Sequence, residues 1–161
     1  MNAPLTNGHA VVFAVEPFEI AYPEAFALLR LHYDEIAPHK DIFKLNPDVE
    51  AYRQMDRAGS LCIVTARAQG VLVGYIVMFI KRHLHYKDTY VATDDIHFIH
   101  PLYRKGSLGL RLIAAAEKEM VVRKVKIMIL RTKAAHNHGL LFERLGYAPL
   151  DIVYSKALME S

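Results

Sequence analysis

The chain has 161 residues, 53% hydrophobic and 23% charged, with a formal net charge of +3, a balance that reads as one globular, soluble domain long enough to bury a core. Its longest apolar run, Val71 to Ile80, is too short to span a bilayer and is interrupted by Gly74, and its single cysteine, Cys62, excludes a disulfide framework. MNAPLTNGHA opens the chain without a basic region or cleavage pattern, so no signal peptide is expected, and the cytoplasm is the expected compartment. The charge is unevenly spread. Residues 100 to 133 hold nine Lys/Arg and two Glu, a surplus of +7, whereas residues 16 to 59 hold five Lys/Arg and nine Asp/Glu, a deficit of −4. The acidic segment suits a cationic substrate such as an amine. The basic one lacks the aromatic interleaving of a nucleic-acid reader.

In chain order, Val11 to Val15 predicts a first strand, and Pro17 and Pro23 punctuate the chain after it. From Glu24 to Ile36 the apolar residues Phe26, Leu29, Tyr33 and Ile36 recur at helical spacing, and Pro38 ends that helix. Asn46-Pro47-Asp48 starts a second helix, with proline in its first turn, that runs to about Arg57 and stops at Ala58-Gly59. Leu61 to Ala68 and Leu72 to His83 read as an antiparallel hairpin about Gln69-Gly70, with Cys62 a buried strand residue. Tyr86-Lys87-Asp88 is the next expected turn, and Thr89 to Ile99 a third strand. A helix from about Ser107 to Val122, a buried strand from Val125 to Leu130, and a helix from His138 to Leu145 stopped by Gly146 come next. Tyr147 to Leu158 is expected to close the chain with one or two strands. The pattern is a single mixed α/β (α+β) domain over residues 1–161, with a mostly antiparallel sheet flanked by helices.

Residues 94 to 111, DDIHFIHPLYRKGSLGLR, organise the rest. An apolar strand ends in His100-Pro101, a basic turn succeeds it, and a helix begins. Small residues there let unpaired N–H groups crowd at a helix start, which favours a phosphate or pyrophosphate. Arg104, Lys105 and Arg111 supply the matching charge. No Gly-Lys-Ser/Thr closes the turn, so it is not the phosphate loop of NTPases, and no strand–helix–strand repeat surrounds it, so it is not a dinucleotide fingerprint.

The turn resembles the signature of the GNAT acyltransferases, Arg/Gln-x-x-Gly-x-Gly/Ala after a strand ending in hydrophobic-x-Pro. Here the strand ends in Ile99-His100-Pro101, and the signature falls on Arg104, Ser107 and Gly109, with Ser107 where the family usually has its first glycine. Gly139 to Tyr147 resembles the family's late helix and Tyr154 to Leu158 its closing strand. The resemblance covers nearly the whole chain and is nearest to small GNAT-like proteins of phage and bacterial genomes, which for a phage protein implies the host cytoplasm.

The resemblance implies acetyl-CoA as cofactor and transfer of an acetyl group to a primary amine, on a small molecule or a protein, by direct attack. It also implies main-chain amides from Arg104 through Lys105, Gly106, Ser107 and Leu108 to Gly109 on the pyrophosphate, with Arg111 nearby. The strand His97-Phe98-Ile99 then carries the pantetheine arm. His136 and His138 fall near the start of the late helix, where the family contacts cofactor or substrate. Paired subunits are common in the family, so a homodimer is expected.

Amine acylation needs a base, because a lysine-like amine has a pKa of about 10.4, and it needs help for the departing thiolate. Asp94 and Asp95 lie in the central strand on opposite faces. Asp95, sharing parity with His97 and Ile99, is the first candidate for the base and Asp94 the second. Many family members protonate the thiolate with a late-helix tyrosine. That position is Phe142 here, which leaves Tyr147 and Tyr154 as candidates. His32, Tyr33 and Glu35 on the first helix, and His85 and Tyr86 beyond the second hairpin strand, are candidates to line the acceptor cleft. Two other readings stand beside this one. The Phe142 and Ser107 departures suit a non-catalytic binder of CoA or protein, regulatory or virion-associated. The pairs His83-x-His85 and His136-x-His138 suit a metal site in a small β-barrel, but the spacing of glycines and acids around His83 does not follow the usual pattern, the long helix after Gly106 breaks an all-β plan, and no metal is expected.

Overall fold

Three runs of β-forming residues separated by tight turns dictate an antiparallel meander, and the first three helices pack on its two faces. The computed structural model describes residues 10–37 and 39–158. They form two compact units, one ending at Arg131 and one beginning at Thr132. The first unit carries β1 (Val11–Val15), β2 (Leu61–Ala68), β3 (Val71–His83), β4 (Tyr86–Ile99) and β5 (Val125–Ile129) in one sheet of that order. β1 to β4 pair antiparallel, and β5 pairs parallel to β4. The β2–β3 hairpin turns on Gln69 and Gly70 at φ 51° and 81°, the two positive angles that a two-residue turn between twisted strands requires.

Side chains alternate across the sheet. Cys62, Val64, Ile76 and Met78 point to one face, where Leu108, Leu112, Ala116 and Met120 of α3 (Leu108–Val122) form a stripe at four-residue spacing. Leu61, Ile63, Tyr75, Val77 and Phe98 point to the other, where they meet α1 (Phe18–Ile36) and, through Val49 and Tyr52, α2 (Val49–Arg57). Each fully buried Leu, Ile or Met contributes roughly 1.5–3 kcal/mol. Asp48 caps α2 by accepting from the Ala51 N–H at 3.0 Å, so Pro47 precedes the cap rather than opening the helix.

α1 begins at Phe18, earlier than the residue spacing suggests, and Pro23 lies inside it. Its buried stripe is Phe18, Ala21, Ala25 and Leu28, while Phe26, Leu29, Tyr33 and Ile36 sit only half-buried on its shoulder. Two alanines in the stripe give little hydrophobic signal. The hydrogen bond that Pro23 forfeits is outweighed by packing on the sheet. The expected end of this helix, Pro38, lies outside the described residues. The β3–β4 hairpin turns at Leu84-His85, not at Tyr86-Lys87-Asp88, which already belong to β4.

In the second unit α4 (Gly139–Arg144) ends as expected, with Gly146 at φ 89°. The expected closing strands do not form among the described residues: 148 to 158 make no ladder bonds, and Ile152, Val153 and Tyr154 are exposed. No helix among the described residues is long and apolar enough to cross a membrane.

Candidate active site

β4 outruns its neighbour. Its parallel pairing with β5 runs from Tyr90↔Val125 to Thr93↔Ile129 and stops there, while its pairing with β3 continues to Ile99. From Asp94 onward β4 has no β5 partner among the described residues. The His100 N–H goes to Val73 O on β3 at 2.9 Å, so by alternation the main-chain groups of His97 and Ile99 turn to the β5 side, where Ile99 O accepts from Arg104 Nε at 2.9 Å.

The edge leads into the turn. Pro101–Tyr103 form one 3-10 turn, capped by His100 Nδ1 accepting from the Leu102 N–H at 3.3 Å. Gly106 takes φ 88°, and Ser107 takes φ −100° and begins α3 without a side-chain cap. The positive angle thus falls on Gly106, and a serine at 107 carries no backbone strain. The first bond of α3 is Arg111 N–H to Ser107 O at 3.0 Å, and among the described residues no acceptor takes the amides of Ser107, Leu108, Gly109 and Leu110. A Cβ at Gly109 meets only Ile99 Cδ1, at 3.5 Å. The end of β4 thus leads into a crowd of unpaired amides at the positive end of a helix dipole.

The two aspartates sit at a bulge. Val77 pairs with Ile96 and Met78 with Asp94, so Asp95 is the extra residue. The bulge overturns the expected parity. Asp94, opposite Met78, and His97, opposite Ile76, share the α3 face. Asp95 lies on the other face, where its Oδ2 accepts from the Tyr52 hydroxyl at 2.5 Å. Burial, together with this bond to Asp95, raises the Tyr52 hydroxyl well above its ordinary pKa, so it stays a proton donor. Burial likewise raises Tyr75, with the Asp95 charge adding to it. Asp94 is 3% exposed and bonded on both oxygens: Oδ1 accepts from Arg131 N at 2.9 Å and Nε at 3.3 Å, and Oδ2 from His97 Nδ1 at 2.9 Å.

A model of the acetyltransferase (GNAT) family matches residues 23–147. The chain belongs to that family. Among solved structures it is similar to an aminoglycoside acetyltransferase from an uncultured soil metagenomic sample, in complex with sisomicin, at TM-score 0.70, 14% identity and 93% and 97% coverage of this chain and that one. It is similar to a ribosomal-protein-alanine N-acetyltransferase from Brucella melitensis biovar Abortus 2308 at 0.68 and 17%, covering 95% and 100%. It is also similar to the aminoglycoside N-acetyltransferase AAC(6′)-Iy in complex with CoA at 0.68 and 16%, covering 96% and 98%. These likenesses establish the GNAT fold. A search of curated proteins finds no match.

The other residues expected from the GNAT signature divide. Arg104 does not turn to the helix start: its guanidinium is bidentate on Glu35 at 2.6 Å for both bonds, donates to Ile99 O at 2.9 Å and lies 5.1 Å from the Phe98 ring. Arg111 lies over Phe13 at 5.0 Å, toward β1. Lys105 remains the cation of the turn. His32 packs 5.0 Å from Phe98, so His32 and Glu35 do gather beside the end of β4. Tyr33 turns away, its hydroxyl donating to Phe43 O at 2.6 Å. His85 and Tyr86 cluster with His83 at the hairpin tip, ring centroids 5.6 Å and 4.7 Å from His83. At about 3.3 Å per residue the tip is some 30 Å along β4 from Asp94, so these two do not join the site. Among the described residues no group of three His, Cys, Asp or Glu is placed to hold a metal.

Within the second unit the Thr132 hydroxyl donates to His136 O at 2.9 Å and accepts from the His138 N–H at 2.8 Å, a loop that leads into α4. The Phe142 ring lies 6.1 Å from Tyr147, and Tyr154 is 88% exposed on the strandless tail. Tyr52 and Arg131, the partners of the two aspartates, carry no motif. Tyr52 falls three residues after Val49 on the inner face of α2, and Arg131 ends an apolar run; those spacings are the only signals the sequence holds for them.

Proposed function

We propose that the protein is an acetyl-CoA-dependent N-acetyltransferase that acylates a primary amine by direct attack. The observation that supports the reading is the end of β4, beyond its last pairing with β5, leading into the unpaired amides at the start of α3. Acetyl-CoA, when bound, supplies the activated acetyl group as a thioester. The His97 and Ile99 main chain would hold its extended arm. The amides of Ser107 to Leu110 and the Lys105 ammonium would hold its pyrophosphate.

Asp95 is the proposed base. It is half-buried at the bulge, keeps one oxygen beyond the Tyr52 bond, and takes the proton of the incoming ammonium directly or through water. Tyr52 fixes its rotamer. Phe142 has no proton to give to a leaving thiolate. The acidic segment of residues 16 to 59 draws in a cationic amine. Aminoglycosides and a ribosomal-protein alanine are named for structures of this fold, and small-molecule and protein amines are the proposed acceptor classes.

The test is thermal unfolding with millimolar acetyl-CoA or CoA, then an amine screen that reads released thiol. Asp95→Asn is expected to lower turnover about 10²–10⁴-fold with coenzyme A stabilisation intact. Absence of stabilisation by either ligand refutes the reading. Stabilisation with no turnover on any amine favours the non-catalytic binder to which Phe142 points.

A further inference from the structure

α2, α3 and α4 each end in a cap residue followed by one residue at positive φ: Gly59 at 71°, Lys124 at 60° and Gly146 at 89°. Glycine takes that conformation without steric cost, and lysine does not. The Lys124 N–H closes the turn on Val121 O at 3.0 Å. Backbone demand alone would put a third glycine there, so the strained residue points to work done by its side chain.

Lys124 lines a surface cleft of about 560 Å³ together with Asp88, Tyr90, Val121, Val125 and Lys126. That volume is within the range of about 300–1,000 Å³ usual for small-ligand sites. The aromatic wall is held in place: Arg82 Nε donates to the Tyr90 hydroxyl at 3.1 Å, and the guanidinium lies 5.3 Å from the ring centroid. Val121, 74% exposed, and Val125 add apolar surface. Lys124 and Lys126 are exposed, and no ion pair among the described residues takes either. Val121 is some 20 Å along α3 from Leu108, at about 1.5 Å per residue, so the cleft is separate from the amides assigned to the pyrophosphate.

An aromatic ring and two valines beside two ammoniums match a ligand that is flat and apolar at one end and anionic at the other. We propose that this cleft binds a nucleoside monophosphate unit, its base against Tyr90, Val121 and Val125 and its phosphate on Lys124 and Lys126. Asp88 is the acceptor in the lining, for a sugar hydroxyl or a base amino group. Two ammoniums against one carboxylate suit one phosphate rather than three. The proposal is independent of the acetyl-CoA reading.

The test is calorimetric titration of the full chain with AMP, inorganic phosphate and single-stranded hexa-adenylate RNA, without coenzyme A. AMP is expected to bind, and inorganic phosphate about tenfold or more weaker for want of the base. Lys126→Ala should weaken AMP binding about tenfold. Lys124→Gly should weaken it as much while raising Tm, because the strain is relieved as the ammonium is lost; a purely structural lysine would give the rise in Tm alone. Lys118→Ala, which removes an exposed cation of α3 outside the cleft, should leave AMP binding unchanged. Hexa-adenylate binding tighter than AMP identifies an RNA strand as the source of the unit, and equal or weaker binding a free nucleotide. The proposal is overturned by the absence of AMP binding, by AMP binding that survives both cleft variants, by an equal loss in Lys118→Ala, or by phosphate binding as tightly as AMP.

Discussion

Replacing Gly109 should separate stability from ligand binding. A Cβ there would stand 3.5 Å from Ile99 Cδ1 and meet nothing else within 4 Å. Alanine is therefore accommodated in ordinary contact, and its helix propensity favours the fold by up to about 1 kcal/mol. The same methyl projects between the end of β4 and the amides of α3, where the ligand must pass. A ligand at ~100 times its dissociation constant adds about 2.7 kcal/mol. For a chain of this size that corresponds to a rise in Tm of about 5–11 °C, at roughly 2–4 °C per kcal/mol. Thermal scans with and without coenzyme A should show the wild type shifting by that amount. Gly109→Ala should start at an equal or higher Tm and shift less, and Gly109→Trp should not shift. A full shift in a folded Gly109→Trp would place the pyrophosphate elsewhere and refute the turn as its site.

Gly74 lies where β3 comes closest to the end of β4: a Cβ would stand 3.0 Å from Phe98 O and 3.1 Å from Ile99 Cγ1. Gly74→Val should therefore cost about 1–3 kcal/mol in denaturant unfolding. Glu16 has its pKa lowered from 4.5, first by the Arg67 hydrogen bond. Its stabilisation is complete above about pH 4.5 and drains as pH falls through the lower folded value. Glu16→Gln should lower stability at pH 7 and flatten the acid limb of a stability–pH curve. Burial pushes the Cys62 thiol up to about 11. A disulfide reagent at pH 8 should label it only after unfolding.

The sheet was legible because its strands are long and marked by local chemistry. Gln69-Gly70 announces a hairpin, and Leu108, Leu112, Ala116 and Met120 announce the inner face of a helix. What stayed hidden depends on pairing. The bulge at Asp95 is a difference between the registers of β3 and β4, and nothing in the residues Asp94-Asp95 reveals it. Parity counted along the strand therefore assigned the two carboxylates to the wrong faces. The α1 stripe was missed because Ala21 and Ala25 are small, while the larger Phe26 and Leu29 drew the pattern to the shoulder. The expected closing strand failed for the opposite reason: Ile152, Val153 and Tyr154 have the right composition, but no ladder partner. The turn of residues 104 to 109 was readable because Gly106 serves the backbone locally at φ 88°, and local needs leave a mark in sequence.

Arg104 is where motif and geometry diverge, and one substitution decides between them. The motif makes it a phosphate cation, whereas the structure makes it a strut from the turn to α1, held by Glu35, Ile99 O and the Phe98 ring. Both partners of the ion pair are more than a third exposed, at 40% and 36%. Solvent screening therefore limits the stability lost in Glu35→Gln to about 0.2–1 kcal/mol. The strut reading expects coenzyme A affinity in Glu35→Gln to stay within about twofold of wild type, with an unchanged dependence on salt, because the remaining contacts keep the guanidinium in place. A phosphate-binding Arg104 would instead be released by the substitution, and titrations between low and high salt would then show tighter binding with a steeper salt dependence. That result would refute the strut and return Arg104 to the pyrophosphate.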